Sequence, residues 1–262
     1  MEKYLIIIPF IFILVSCEKT QVVESDVSYK SFVVVSSELN SESLFTGVNF
    51  TKTLPFGTSY DIKSSELKDV TSYIRINGVQ VIPLHYTTDG LYMPIYELNI
   101  HSGNTYELFA EWEGNIIYSI TKVPFPPVIN NVSYDAGDNY FQANIKANAG
   151  EVYGAIWVIG NGIVKASTLP NLSIPNAGTT NLNVITSTLP AKYSTGDFNG
   201  LRNIQVFSYD KQYTAYFNSI KMNVPLGNAF LQNGGTTGWN VSGDNVIGMF
   251  IGVGKGTITN VN

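Results

Sequence analysis

Apolar and polar residues alternate along most of this chain in short runs parted by glycine, proline and asparagine, the pattern of half-buried strands joined by tight turns. Ser31-Phe32-Val33-Val34-Val35-Ser36 opens the series, and Leu44 to Thr53 follows with Leu44, Thr46, Val48 and Phe50 on one face. Three hairpins are predicted. Tyr73-Ile74-Arg75-Ile76 meets Val79-Gln80-Val81-Ile82 across Asn77-Gly78, two residues that accept the positive φ of a type I′ turn. That register would put Ile74 and Ile76 on one face with Val79 and Val81. Leu84-His85-Tyr86 meets Leu91-Tyr92-Met93 across Asp89-Gly90, and Thr105 to Trp112 meets Ile116 to Ile120 across Glu113-Gly114-Asn115. About seven strands in about 95 residues suit an immunoglobulin-like sandwich. Pro124, Pro126 and Pro127 then stiffen the chain and remove ladder donors, which predicts a domain boundary. Strands resume over Val128 to Tyr134, Tyr140 to Ala147 and Val152 to Ile159, and Leu169 to Tyr193 reads as looser. One short helix is predicted after Asp210 as N-cap, where Tyr213, Tyr216, Phe217 and Ile220 fall at helical spacing. The tail from Trp239 to Val261 alternates glycine with apolar residues and is expected to close the second sheet. The predicted fold is all-β: an N-terminal immunoglobulin-like β-sandwich over 29–125, then a second β-rich domain with one short helix over 126–262.

The first residues break this pattern. Lys3 and the free amine precede an unbroken apolar stretch from Leu5 to Val15, the length of a signal-peptide core and too short for the roughly 20 residues of a spanning helix. The stretch ends Leu14-Val15-Ser16-Cys17, which resembles the lipobox of bacterial lipoprotein precursors, and Cys17 is the sole cysteine of the chain. Residues 1–16 are therefore expected to be an export signal, Cys17 the lipidated first residue of the mature protein, and 17–28 a polar tether. Several acyl chains, each worth about 0.8 kcal/mol per buried CH₂, hold a protein stably at a membrane. The expected location is the cell envelope, lipid-anchored at the outer membrane.

Composition narrows the function classes. Without Glu2 and Lys3 the chain keeps 14 basic against 19 acidic residues, a mild acidity that argues against nucleic acid. No catalytic, metal or cofactor site stands out, so no cofactor is expected. Gly252-Val253-Gly254-Lys255-Gly256-Thr257 lacks the hydroxyl residue after lysine that a phosphate loop requires. His85 and His101 are the only histidines, too few for a zinc site without carboxylate help. Glu107 and Glu111 on one strand would stand about 13 Å apart, from roughly 3.3 Å per residue, beyond the reach of a glycosidase pair. A solvated strand face accounts for them, and a turn for Asp135-Ala136-Gly137-Asp138-Asn139. Tyr86, Tyr92, Tyr96, Tyr106, Trp112 and Tyr118 would either fill the sandwich core or, if exposed, stack on sugars or anchor a partner.

The lipobox, the Val-rich first strand, the Asn-Gly hairpin, Gly103-Asn104-Thr105-Tyr106-Glu107-Leu108, the Val123-Pro124 hinge, the Tyr213/Tyr216 helix and the closing Val246-Ile247-Gly248-Met249-Phe250 together resemble a family of Bacteroidota lipoproteins labelled only as a domain of unknown function. The resemblance spans about residues 30–255. It implies an immunoglobulin-like module followed by a second β-domain, encoded, as such proteins often are, near TonB-dependent outer-membrane receptors, with no catalytic residues to carry across. The expectation is a non-enzymatic binding or accessory protein whose partners are the membrane, through Cys17, and an outer-membrane transporter or a glycan. The alternative is a carbohydrate-active or proteolytic enzyme with a site assembled at the cleft between the two halves.

Overall fold

Alternation sets the first strand, β1 (Val33–Asn40): Val33, Val35 and Leu39 are buried while Ser36 and Glu38 face outward. The structure, a computed structural model, describes residues 29–55, 57–160, 165–166, 170–178, 180–194, 200–222 and 238–261; the signal segment, Cys17 and the tether to residue 28 lie outside them. After β1 come β2 (Ser43–Leu44) and β3 (Val48–Lys52). The expected common face of Leu44, Thr46, Val48 and Phe50 breaks at Gly47, whose φ of 98° shifts the alternation so that Phe45 is buried and Leu44 exposed. A single turn, α1 (Ile62–Ser65), capped by the Asp61 carboxylate, leads into β4 (Thr71–Ile76), β5 (Gln80–Thr88), β6 (Leu91–Met93), β7 (Asn99–Ile100), β8 (Thr105–Trp112) and β9 (Asn115–Lys122).

All three predicted hairpins form, with positive φ at Asn77 and Gly78, at Asp89 and Gly90, and at Glu113 and Gly114. The first register differs from expectation. Val79 is taken up in the turn, so Arg75 faces Val81 and Ile74 faces Ile82. Ile74 and Ile76 are buried, while Val79 and Val81 are 84% and 52% exposed. One extra turn residue has moved the valines to the outer face. β5 then changes layer midway: Gln80–Leu84 pair with β4, and His85–Thr88 with β6. One layer is thus β1-β3-β6 and the other β4-β8-β9. Between them lie Phe50, Ile74, Tyr92, Tyr106, Leu108 and Ile117, with the Phe50 and Tyr92 rings edge to face at 5.2 Å.

The second half contributes β10 (Val128–Asp135), β11 (Tyr140–Lys146), β12 (Val152–Ile159), β13 (Lys165–Ala166), β14 (Asn171–Ser173), β15 (Asn181–Ile185), α2 (Ala191–Ser194), β16 (Arg202–Tyr209), α3 (Tyr213–Met222), β17 (Val241–Ser242), β18 (Val246–Lys255) and β19 (Thr259–Asn260). The three-stranded sheet β10-β11-β15 packs Phe141, Ile145 and Val184 against Tyr153, Trp157, Ile204 and Val206 of β12 and β16. Both halves carry a tyrosine corner, in which a strand-opening tyrosine binds the backbone a few residues upstream. The Tyr106 hydroxyl accepts from His101 N at 2.8 Å, and that of Tyr153 accepts from Asn148 N at 2.8 Å. The fold is all-β, as the alternation predicts.

The halves do not part at the proline run. β18 pairs in parallel with β1 from Val33–Val246 to Asn40–Val253, and antiparallel with β16 from Phe207–Lys255 to Tyr209–Val253. The tail therefore does not close the second sheet alone. It lies between the halves and makes one continuous sheet, so that Ser31–Asn262 is a single compact unit instead of the expected domains 29–125 and 126–262. The physical reason is that the first core is incomplete without the tail: Val241, Val246 and Phe250 are buried in it. Val123 and Pro124 are buried too. The alternating glycines of β18 permit this close approach. A Cβ on Gly248 would meet the backbone of Val35, and one on Gly252 would stand 2.7 Å from Lys122 O and from Val123 Cα. Asn240 completes the closure with a two-way amide bond, its Nδ2 donating to Phe250 O at 2.6 Å and its Oδ1 accepting from Phe250 N at 2.8 Å.

Candidate functional site

Period-two alternation gives the shared sheet two faces. Val246 and Phe250 of β18 point into the first core, while Met249, Ile251 and Val253 point to the opposite face. The register sets Phe207 and Tyr209 of β16 and Ser36 and Glu38 of β1 beside them on that opposite face. Helix α3 crosses it. Asp210 starts the helix, one carboxylate oxygen accepting from Gln212 N at 3.1 Å and its carbonyl accepting from Tyr213 N at 2.8 Å. The other oxygen, Oδ2, accepts from Thr121 Oγ1 at 2.8 Å and from Lys122 N. One buried carboxylate thus fixes the helix to the last strand of the first half.

The result is a cleft of about 380 Å³ between sheet and helix, lined by Ser36, Glu38, Ile156, Pro170, Phe207, Tyr209, Tyr213, Tyr216, Met249 and Ile251. Its rings form a ladder. Phe207 and Tyr209 lie 6.3 Å apart, Tyr209 and Tyr213 stack at 4.7 Å and 17°, Tyr213 and Tyr216 stand 5.2 Å apart, and Tyr216 meets Trp239 at 5.7 Å. Burial pushes the Tyr209 phenol upward, and pushes that of Tyr213 up to about 12, with the charge of Glu38 adding to both. Both are therefore protonated donors at neutral pH. Among the described residues, the hydroxyls of Ser36, Tyr209, Tyr213 and Tyr216 and the carboxylate of Glu38 meet no hydrogen-bond partner. Of this group the sequence pattern singles out only Tyr213 and Tyr216.

The candidate residues of the sequence fall elsewhere. Cys17 lies outside the described residues. Glu107 is not on a solvated face: it is buried and held by Arg75, with Nε to Oε1 at 3.0 Å and a second bond from Nη2, while Tyr118 donates to it at 3.2 Å. Arg75 lies 32 residues away on β4, directly across in the register, and its guanidinium holds the Glu107 carboxyl below its ordinary value. Of the six first-half aromatics, Tyr92 and Tyr106 are core, Tyr86 and Trp112 pack against it, Tyr118 is half-buried beside Phe109, and Tyr96 is 84% exposed. The Asp135 segment is a turn, its carboxylate accepting from Gly137 N and Asp138 N.

Two places resemble the enzymatic alternative. At the proline run a cleft of about 370 Å³ is lined by Glu151 and Asp210. Asp210 is engaged as described, and Glu151 accepts from Tyr153 Oη at 2.6 Å and from Asn148 Nδ2 at 3.2 Å. His101 Nδ1 lies 3.4 Å from Glu42 Oε2, and Ser102 Oγ donates to Oε1 of that same carboxylate at 3.0 Å and not to the imidazole ring. Among the described residues no three His, Cys, Asp or Glu side chains gather as a metal site, and no helix is long and apolar enough to cross a membrane. Compared with protein-family models and with curated proteins, the chain matches none.

Proposed function

We propose that this is a non-catalytic binding protein of the bacterial cell envelope, lipid-anchored through Cys17 and accessory to an outer-membrane transport system of the TonB-dependent kind. The observation that carries the reading is the cleft behind the shared sheet. Among the described residues it offers stacked rings, unpartnered phenols and one carboxylate, and no hydroxyl there is bonded to that carboxylate. Such a site holds a ligand by shape and hydrogen bonding. The lipobox and the family resemblance supply the anchor and the transport setting.

A hydrolytic reading has one observation in its favour, the Glu151 and Asp210 carboxylates at the proline-run cleft. The two readings separate on product analysis. The mature protein, incubated with polysaccharides and peptides, should retain ligand without cleaving it. A product whose formation disappears in Glu151→Gln would replace the binding reading with the hydrolytic one.

A further inference from the structure

We infer that the cleft between α3 and the shared sheet is a saccharide site that takes a short stretch of a neutral glycan, with Trp239 at the end of the ring ladder as the stacking platform and Glu38, Tyr209, Tyr213 and Tyr216 as the hydrogen-bonding edge. The inference rests on the binding reading above and names its ligand class. Three features select that class. First, the ring faces of Tyr209 and Tyr213 are already used. They stack on one another at 4.7 Å and 17°, with Phe207 beyond one and Tyr216 beyond the other. Packed in this way, the two rings keep little free face for a ligand. A cage for a quaternary ammonium needs free faces around the cation, so it is not built here.

Second, the polar groups come as an unpartnered set of both kinds. The phenols of Tyr209, Tyr213 and Tyr216 can donate, and the Glu38 carboxylate can only accept. A sugar hydroxyl does both at once. A wholly apolar ligand would seal these groups from water and leave them unpaired. Third, among the described residues that line the cleft Glu38 is the only charged one, so an acidic glycan would meet repulsion there. The ladder ends at Trp239, 39% exposed, which offers a face to a chain leaving the cleft. A volume of about 380 Å³ is near the lower end of small-ligand sites, roughly 300–1,000 Å³, which fits a short segment of a longer polymer.

The test uses the whole mature chain on an array of neutral gluco-, xylo-, manno- and galacto-oligosaccharides, with uronate-containing and sulfated oligosaccharides and choline alongside. The best neutral binder is then titrated by tryptophan fluorescence. At least one neutral oligosaccharide should bind and change the emission of Trp239. Tyr216→Ala and Glu38→Gln should each weaken it by about tenfold or more, and Trp239→Phe should abolish the fluorescence change. Tyr96→Ala, far out in solvent, should leave affinity unchanged. Glu38 is exposed and its amide keeps the shape, so that variant stays informative if Tyr216→Ala does not fold. No neutral glycan bound, acidic glycans preferred, or affinity untouched by Glu38→Gln would each overturn the inference. Choline bound at the cleft would overturn it while leaving the binding reading in place. Cleavage of a bound neutral glycan would uphold the saccharide site and overturn the non-catalytic reading.

Discussion

Asp210→Ala should destabilise the whole unit and not merely fray a helix. The carboxylate is 5% exposed and serves three donors, Thr121 Oγ1, Lys122 N and Gln212 N. Gln212 is partly open to water and can recover a partner there, whereas Thr121 is fully buried and the bond from Lys122 N is partly buried although the residue as a whole is exposed. Two donors left unpaired at about 1–3 kcal/mol each give about 2–6 kcal/mol. A unit of this size loses about 2–4 °C of Tm per kcal/mol, so the shift should be on the order of 10 °C. Urea denaturation of the mature protein, followed by tryptophan fluorescence and far-UV circular dichroism together, measures it. Both signals should move to lower urea in step, because Asp210 ties α3 to β9. A loss under about 1 kcal/mol, or a helix signal that melts apart from the strand signal, would show that Asp210 does not couple the helix to the sheet.

Gly78→Val should cost about 1–2 kcal/mol by thermal denaturation, since a Cβ there meets nothing within 4 Å and only the φ of +72° is strained; an unchanged Tm would misplace the turn. Glu107→Gln tests the Arg75 pair through pH. The folded carboxyl is held below its ordinary 4.5, so the pair's contribution is complete above that value and is lost as pH falls through the lower folded one. The stability gap between wild type and variant should be widest above pH 4.5 and should close on acidification; a gap constant with pH would contradict the assignment. Cys17→Ala should abolish labelling by a fatty-acid analogue, and persistent labelling would refute the anchor.

What could be foreseen in the sequence was local. Asn77-Gly78, Asp89-Gly90 and Glu113-Gly114 announce their hairpins because the turn chemistry lies in adjacent residues. Asp210 and the Tyr213, Tyr216, Phe217 spacing announce α3 for the same reason. The register across Asn77-Gly78 was not foreseeable, since one residue's membership of a turn decides which face the valines take. Arg75 and Glu107 meet only after β4 and β8 pair. The parallel ladder of β1 with β18 joins residues more than two hundred positions apart, and no local pattern encodes it. The cleft inherits that difficulty, because Ser36 and Glu38 come from the first strand and Met249 and Ile251 from the penultimate one. One further signal is local. His101-Ser102-Gly103-Asn104-Thr105-Tyr106 and Asn148-Ala149-Gly150-Glu151-Val152-Tyr153 share a glycine three residues before the tyrosine, with φ of 82° and 85°, and each tyrosine makes the same corner.

Strand β18 makes one unit of the two halves, and the cleft exists only through it. Removing residues 126–262 would strip Val241, Val246 and Phe250 from the first core and leave β1 without its parallel partner. Three buried apolar side chains at about 1.5–3 kcal/mol each amount to about 5–9 kcal/mol, comparable with the whole stability of an ordinary domain, about 5–15 kcal/mol. The direct measurement is urea denaturation of the fragment 31–125 beside the chain 31–262. The longer chain should show a single cooperative transition and the fragment none. A fragment that unfolds cooperatively, with native-like near-UV dichroism before it does, would contradict the claim.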